Sequence, residues 1–455
     1  MKNQEKFKRL IRAAFCFILL SFHAAVFWYI WRTYYSPLME TQYWLKGHMM
    51  ILAFYLFWAF LLPRIYGGWN IGYLKIFHIV YSQSLGLVMT NILIYCLIIL
   101  LTKHIVTIWP LLFMFFVQMM MLFLWGAVCS RIYLWIYPPR RVLLIYGDRP
   151  ALGLMKKIST RADRFVVGEM VHISEGIEKI KEKIENYQGV VICDIPSHER
   201  NVVLKYCYGR EIRSYTTPKI SDLIIRSAEN QHMFDTPLLL SRNTGLTIEQ
   251  CFIKRVVDLG LSGIAVLFAL PIMGIIVLCI KIEDRGSIIY KQKRLTLDGK
   301  EFFVYKFRSM CEDAEKDGVA RLAGENDKRI TKTGKIIRSM RLDELPQLFN
   351  ILKGDMSIVG PRPERPEIAK AYEESIPEFV YRLKVKAGLT GYAQVYGKYN
   401  TTAYDKLKLD LMYIQNYSLR LDFEIMFRTV QILFMKESTE GMGEGQEIAL
   451  AEARK

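Results

Sequence analysis

Asp343 and Glu344 stand side by side within Ser339-Met-Arg-Leu-Asp-Glu-Leu-Pro-Gln-Leu-Phe-Asn350. Leu342, Leu345, Leu348, Phe349 and Leu352 follow a helical period, and Pro346 is best tolerated in a helix's first turn. The pattern predicts a helix beginning near Asp343, with both carboxylates at its positive end. A single acid there could simply cap the helix. Two acids allow more: one to coordinate a hard cation such as Mg²⁺, the other to attack phosphorus. A carboxylate can accept a phosphoryl group without help from histidine. That matters here, because all seven histidines lie at or before His232.

Cations surround the pair in sequence. Arg338 and Arg341 precede it, and Lys306, Arg308, Lys328, Arg329, Lys332 and Lys335 lie upstream. Together they could neutralise a diphosphate. Individually, each also fits a solvated basic face or a surface against lipid headgroups. Downstream, in Gly360-Pro-Arg-Pro363, Pro361 and Pro363 each fix their own φ and restrict the residue before them. Arg362 is thereby presented to an anion with little conformational freedom.

The elements that must carry these residues are those of a basic membrane protein. The 455 residues allow two or three domains. The 52% hydrophobic share and mean hydropathy of +0.16 exceed those of an ordinary soluble chain, yet the net charge is +17. Such a chain suits anionic lipid or phosphorylated substrates; nucleic acid is not expected, since no nucleic-acid motif accompanies the charge. The eight cysteines form no CxxC pair and read as buried, reduced thiols.

Four apolar segments come first, at about Ile11–Trp31, His48–Leu62, Ile76–Leu101 and Ile108–Val128. Each approaches or exceeds the roughly 20 residues that span a bilayer. Lys2, Lys6, Lys8 and Arg9 precede the first, Arg64 and Lys75 flank the second link, and Arg131, Arg140 and Arg141 follow the fourth. This bias places the N-terminus and the region after Arg131 in the cytoplasm. The basic start, with no small-residue cleavage site, reads as a retained membrane segment.

Residues 136–245 read as α/β. Val142–Tyr146 and Gly189–Asp194 are strand-like, each followed by a helical stretch, which suggests a Rossmann-like sheet. Gly147-Asp-Arg-Pro-Ala-Leu-Gly153 lacks the dinucleotide glycine spacing and places Asp148 where a pyrophosphate would sit. A non-catalytic domain is expected. The fifth apolar stretch, Phe252–Ile282, has basic residues on both sides and Pro271 near its middle. A helix broken at Pro271, entering and leaving on one face, fits better than a span. Later, Phe423, Met426, Phe427, Val430, Leu433 and Phe434 recur at helical spacing, either to bury in the domain or to lie in the membrane interface. The stretch from Gly441 reads as a tail.

Several motifs then occur in order: Lys254-Arg-Val-Val-Asp258, the Pro271 break, Tyr290-Lys-Gln-Lys-Arg294, Tyr305-Lys-Phe-Arg-Ser-Met310, Asp343-Glu-Leu-Pro-Gln347, Gly354 to Glu364 and Gly388-Leu-Thr-Gly391. Residues 250–455 resemble the bacterial sugar transferases, monotopic phosphoglycosyl transferases acting on polyprenyl phosphate. The preceding spans and degenerate nucleotide-binding-like domain resemble the large subgroup, which initiates polysaccharide repeat units such as exopolysaccharide, capsule or O-antigen. The resemblance implies an inner-membrane enzyme with its catalytic domain facing the cytoplasm.

The implied architecture is a four-helix transmembrane bundle (1–135), a Rossmann-like non-catalytic domain (136–245), a re-entrant membrane helix (246–283) and a mostly α catalytic domain (284–455). Asp343 is the implied nucleophile and Glu344 the implied Mg²⁺ ligand. A UDP-sugar, with UDP-glucose or UDP-galactose foremost, would donate sugar-1-phosphate to undecaprenyl phosphate through a phosphosugar-aspartyl intermediate. Arg338 and Arg362 are implied phosphate or nucleotide contacts, and a homodimer is expected by analogy with the subgroup. One departure is Leu270, where the smaller subgroup often has a serine before the proline.

Overall fold

The computed structural model describes residues 7–39, 44–147, 152–241, 245–284, 286–311, 329–397 and 401–433. The chain forms two compact units, Met1–Pro218 and Lys219–Lys455.

In the first unit, four helices match the four apolar segments: α1 (Lys8–Ile30), α2 (Leu45–Ile65), α3 (Ile76–Thr102) and α4 (Trp109–Ile136). All are long and apolar enough to cross a membrane. α1 packs on α2 and α4, and α3 packs on α2 and α4. Two buried polar pairs join them: Trp31 donates to His48 Nδ1 at 3.0 Å, and Gln118 donates to the Tyr55 hydroxyl at 2.8 Å, while the buried His23 ring on α1 makes no hydrogen bond with a described residue. Outward positions remain apolar, as lipid would require.

Three residues after α4, β1 (Arg140–Tyr146) begins a sheet that includes β2 (Phe165–His172), β3 (Gly189–Cys193) and β4 (Arg213–Thr216). The order is β2-β1-β3-β4, and all strands are parallel. Helices α5 (Leu152–Ser159), α6 (Ile177–Ile184) and α7 (Ser197–Gly209) make the crossovers. All of β3 is buried, which explains its unbroken apolar sequence. At Gly147 a Cβ would come within 2.6 Å of the Asp194 carbonyl oxygen, so the residue that follows β1 must be small. Asp148 and its neighbours to residue 151 lie outside the described residues.

The division into units falls after Pro218, within the stretch 136–245. The cause is packing: Ile220 and Leu223, on α8 (Ile220–Arg226), are buried with Phe379, Leu407 and Leu411. A hairpin of β5 (Glu229–Met233) and β6 (Thr236–Leu240) follows, with every residue exposed.

The next helix, α9 (Ile248–Asp284), continues through Pro271 without interruption. The sequence predicts a break there; Pro271 instead sits on the helix's exposed side. One stripe is buried along nearly the whole length: Lys254, Asp258, Ser262, Ala269, Met273, Ile276 and Ile280. The opposite face is apolar and exposed, including Phe252, Leu267, Phe268, Ile275 and Ile282. Arg255 donates to the Ile351 and Leu352 carbonyls at 2.6 and 2.8 Å, and the Ile358 amide donates to Asp258 at 3.0 Å. At the far end, Glu283 accepts from the Lys332 and Thr333 amides at 2.7 and 3.0 Å.

The rest of the unit is mainly helical. An antiparallel hairpin, β7 (Ile289–Leu295) and β8 (Glu301–Phe307), leads to α10 (Lys332–Ser339) and α11 (Gln347–Lys353). β9 (Ser357–Val359) pairs in parallel with β10 (Gly388–Thr390). Between and after these lie α12 (Pro366–Ser375), α13 (Tyr392–Tyr396), α14 (Ala403–Gln415) and α15 (Leu419–Leu433). Phe423 and Val430 are partly exposed on α15, whereas Met426 packs into the domain core. Phe434, the Leu433 side chain and the tail from Gly441 lie outside the description.

Of the cysteines, Cys129, Cys193 and Cys207 are buried, but Cys96, Cys251, Cys279 and Cys311 are exposed. The uniform burial expected from sequence therefore fails. Apolar runs give a thiol an apolar neighbourhood, but on a helix they do not fix which face it occupies.

Candidate active site

The acidic pair sits in a 3₁₀ turn, Leu342–Glu344, and not in the first turn of an α-helix. Arg341 enters that turn at φ +54°, a left-handed conformation that ends the run from α10. α11 starts only at Gln347, with Pro346 as its N-cap. Helical periodicity thus ran across two separate elements. Asn350 pins α11 to the hairpin: it donates to the Phe303 carbonyl at 2.8 Å and accepts from the Tyr305 amide at 3.0 Å. Gly354 closes α11 at φ +99° and leaves room for the Arg255 guanidinium.

This arrangement sets β8 beside the turn. Lys306 Nζ lies 2.8 Å from Glu344 Oε1, and Arg362 Nη2 lies 3.1 Å from the same oxygen. Burial opposes charge on Glu344, but Lys306 and Arg362 outweigh it and hold the carboxyl well below the usual range. Asp343 differs. It makes no hydrogen bond or ion pair among the described residues, and burial pushes its carboxyl above the ordinary value. Lys306, Arg338 and Arg362 favour its ionised form, while Glu344 opposes it. The result is one carboxylate with its charge already matched and a neighbour whose oxygens are uncommitted.

The predicted residues do not all converge. Lys306, Arg338 and Arg362 act on Asp343, and Arg341 acts on Glu344. Arg308 does not join them; its side chain is buried against Gly286, where any Cβ would overlap the guanidinium. A diphosphate contact from Arg308 is not supported: β8 ends at Phe307, and beyond it the Arg308 side chain is buried against Gly286 instead of continuing the Lys306 face. Lys332 and Lys335 are exposed on α10 and bond to neither acid. Arg329 meets Cys311 through its backbone carbonyl, and Lys328 lies outside the described residues. Pro361 accepts from the Gly388 amide at 2.9 Å, and Pro363 accepts from Arg294 at 3.0 Å. The two prolines therefore fasten the Arg362 loop to its surroundings.

Sequence reasoning passed over what supports that loop. Glu364 is nearly buried and lies 2.5 Å from Lys406 Nζ and 3.4 Å from Arg382 Nη1. Arg382 also donates to the Arg362 carbonyl at 2.9 Å and pairs with buried Asp410 at 2.8 Å. Glu364 was visible at the end of the Pro-Arg-Pro run. Its partners, from distant segments, carried no local signal.

Among the described residues, no group of three His, Cys, Asp or Glu side chains could hold a metal by itself. Glu344 remains compatible with a hard cation. Both its cationic partners meet Oε1, and Mg²⁺ usually takes one or two carboxylates plus substrate phosphates.

Residues 249–436 match the family model described as bacterial sugar transferase. Similar proteins include a UDP-N-acetylgalactosamine-undecaprenyl-phosphate N-acetylgalactosaminephosphotransferase of Aeromonas hydrophila, 42% identical over 233 residues, covering 50% of this chain and 54% of that one. A UDP-glucose:undecaprenyl-phosphate glucose-1-phosphate transferase of Klebsiella pneumoniae is 39% identical over 211 residues, 45% of this chain and 43% of that one. A protein with the same name from Caulobacter vibrioides is 38% identical over 191 residues, 41% of this chain and 71% of that one. The match spans about half the length of the first two relatives or less, and most of the third. With its paired acids, its Pro-Arg-Pro loop and this coverage, the chain belongs to the bacterial sugar transferase family.

Proposed function

We propose that the protein transfers a sugar-1-phosphate from a UDP-sugar to undecaprenyl phosphate, giving undecaprenyl-diphosphate-sugar and UMP. This is the first membrane step of making a polysaccharide repeat unit, such as that of an exopolysaccharide or capsule. The observation that carries the reading is Asp343, uncommitted among Lys306, Arg338 and Arg362, beside a Glu344 already neutralised.

In the first half-reaction an Asp343 oxygen attacks the β-phosphorus of the donor. A P–O bond forms to the carboxylate, the bond to the bridging oxygen breaks, and UMP leaves with the electron pair. In the second, a phosphate oxygen of undecaprenyl phosphate attacks the same phosphorus. The aspartyl–phosphate bond breaks and the carboxylate returns. Lys306, Arg338 and Arg362 stabilise the charge that builds on the phosphoryl oxygens, where positioning and electrostatics do most of the work. Glu344, with Asp343 beside it, would hold Mg²⁺, which when bound neutralises diphosphate charge.

The donor is read as UDP-glucose or UDP-galactose; the name of the Aeromonas relative supports an N-acetylated hexosamine as the second reading. The experiment is UMP release by the purified full chain with Mg²⁺, undecaprenyl phosphate and a panel of UDP-sugars. One sugar should release UMP, and Asp343→Asn should lower the rate by several orders of magnitude, as for loss of a nucleophile. Full activity in that variant would refute the assignment.

The membrane arrangement belongs to the same proposal. α1 to α4 span the bacterial inner membrane as a bundle, and α9 is re-entrant in the sense that its exposed apolar face enters the membrane while both its ends and the catalytic unit stay cytoplasmic. Support for re-entry comes from the buried stripe on α9, which runs from Lys254 to Ile280. A bilayer-crossing α9 would carry the segments packed on Ala269, Met273, Ile276 and Ile280, among them Phe302, Ile337 and Ile351 with their backbone, into hydrocarbon, at high cost. A homodimer is also proposed; the exposed β5–β6 hairpin, with its unpaired strand edges, supports it.

A further inference from the structure

A cavity of about 340 Å³ lies within the first unit, where α4 leads into β1. Arg140 begins β1, Phe165 begins β2, Arg213 begins β4 and Gln188 precedes β3, and all four line it. These are the amino ends of the parallel strands. Nucleotides in such sheets sit outside the carboxyl ends, so this is not the crevice a dinucleotide would occupy. The other wall comes from the membrane helices, through Lys8 on α1, Tyr73 before α3, Tyr133 on α4 and Tyr137 just after it.

The charge around the cavity is one-sided. Lys8, Arg140, Arg164 and Arg213 line it, and Asp163 is the acid among the described lining residues. Asp163 is already engaged: Arg161 holds it through two bonds of 2.9 and 2.8 Å. Arg164 makes no ion pair with a described residue; its guanidinium lies 4.7 Å from the centre of the Tyr73 ring. Arg12 lies 5.2 Å from the same ring. Arg12, Arg140 and Arg164 also all repel the Lys8 ammonium. Holding like charges around a void costs free energy, which an anion in the void would recover. The volume falls in the range of small-molecule sites, and the aromatic walls add apolar surface beside the cations.

We propose that this cavity binds a phosphate-bearing anion, either an anionic lipid headgroup or a free phosphate solute, where the membrane helices meet the α/β sheet. Lipid is a ready source. Lys8 and Tyr137 stand at the ends of helices long enough to cross a bilayer, a level at which basic residues and tyrosines meet headgroups.

The test uses the full-length protein in detergent. Lys8 acetylation by acetic anhydride is followed by mass spectrometry, with dioctanoyl phosphatidylglycerol, dioctanoyl phosphatidylcholine or inorganic phosphate added. Phosphatidylglycerol or inorganic phosphate should protect Lys8 saturably, and phosphatidylcholine should not. In Arg164→Gln/Arg213→Gln the midpoint should rise at least about tenfold, as expected for lost charge-assisted contacts. Protection by phosphatidylglycerol alone assigns a lipid headgroup; protection by inorganic phosphate assigns a free solute. Lys8 left unprotected by both anionic probes, equal protection by phosphatidylcholine, or a midpoint unmoved in the folded variant overturns the proposal. If the variant does not fold, the wild-type footprint decides alone.

Discussion

Lys306 and Glu344 are 38 residues apart in the chain and 2.8 Å apart in space. The contact joins β8 to the 3₁₀ turn, and it settles which of two adjacent acids is occupied. Glu344 is held as a charged, oriented group, while Asp343 keeps its oxygens free for another partner.

Removing the cation should therefore damage catalysis more than folding. Lys306→Met is expected to lower the rate of UMP release by about 10²- to 10³-fold, the scale of losing one preorganised electrostatic group. Its melting temperature should stay near wild type if Arg362 continues to hold Glu344. An unchanged rate would remove Lys306 from the site.

The pH profile should carry the signature of Asp343. A nucleophilic carboxylate must be ionised, so activity falls as pH drops through its pKa. Burial raises that pKa, so the acid limb of kcat/KM should lie above the ordinary aspartate value of about 3.9. Lys306 favours the ionised form, so Lys306→Met should move the limb further up. A limb that stays in place would show that another group controls it.

Glu364 predicts a different pH effect, on stability. Burial opposes its charge, but Lys406, Arg382 and Arg294 hold its carboxyl down to about 2. A depressed folded pKa means the stabilisation is fully present above the unfolded value of about 4.3 and is lost as pH falls towards the folded one. Glu364→Gln should cost about 1–3 kcal/mol at neutral pH, since it removes one of the two carboxylates that Arg382 meets and the one that Lys406 meets, leaving Asp410 on Arg382. Thermal melting should show a large deficit at pH 7 that shrinks with acidification. A deficit independent of pH would contradict the ionic account.

What the sequence made legible follows from range. Val142–Tyr146 and Gly189–Cys193 could be read as strands because fully buried parallel strands are continuous apolar runs. The apolar helices were readable by length. The acid pair was readable because two carboxylates beside a proline and two arginines are locally unusual. The turn that holds them was not, since Leu342 and Leu345 fit a helical period whether or not the chain pauses at Arg341. Arg308 misled for a related reason: two residues after Lys306 it would share that face if β8 continued, but the chain leaves the strand at Phe307 and buries it elsewhere. The Glu364–Arg382–Asp410 cluster needed three segments brought together, which no local pattern encodes.

The course of α9 gives the most direct test of the membrane reading. At 37 residues it would be about 55 Å long, ample for a bilayer, so length alone favours a span. Its neighbours favour the opposite. Arg255 and Asp258 near one end, and Glu283 at the other, all bond to backbone of the same polar unit. Re-entry predicts that both ends face the cytoplasm. With Glu249→Cys and Ser287→Cys made singly in a background lacking the other cysteines, an impermeant maleimide should label neither site in intact spheroplasts and both after lysis. Labelling of one site from outside would mean that α9 crosses, and the catalytic unit would then need a different account of how Asp343 meets a cytoplasmic donor.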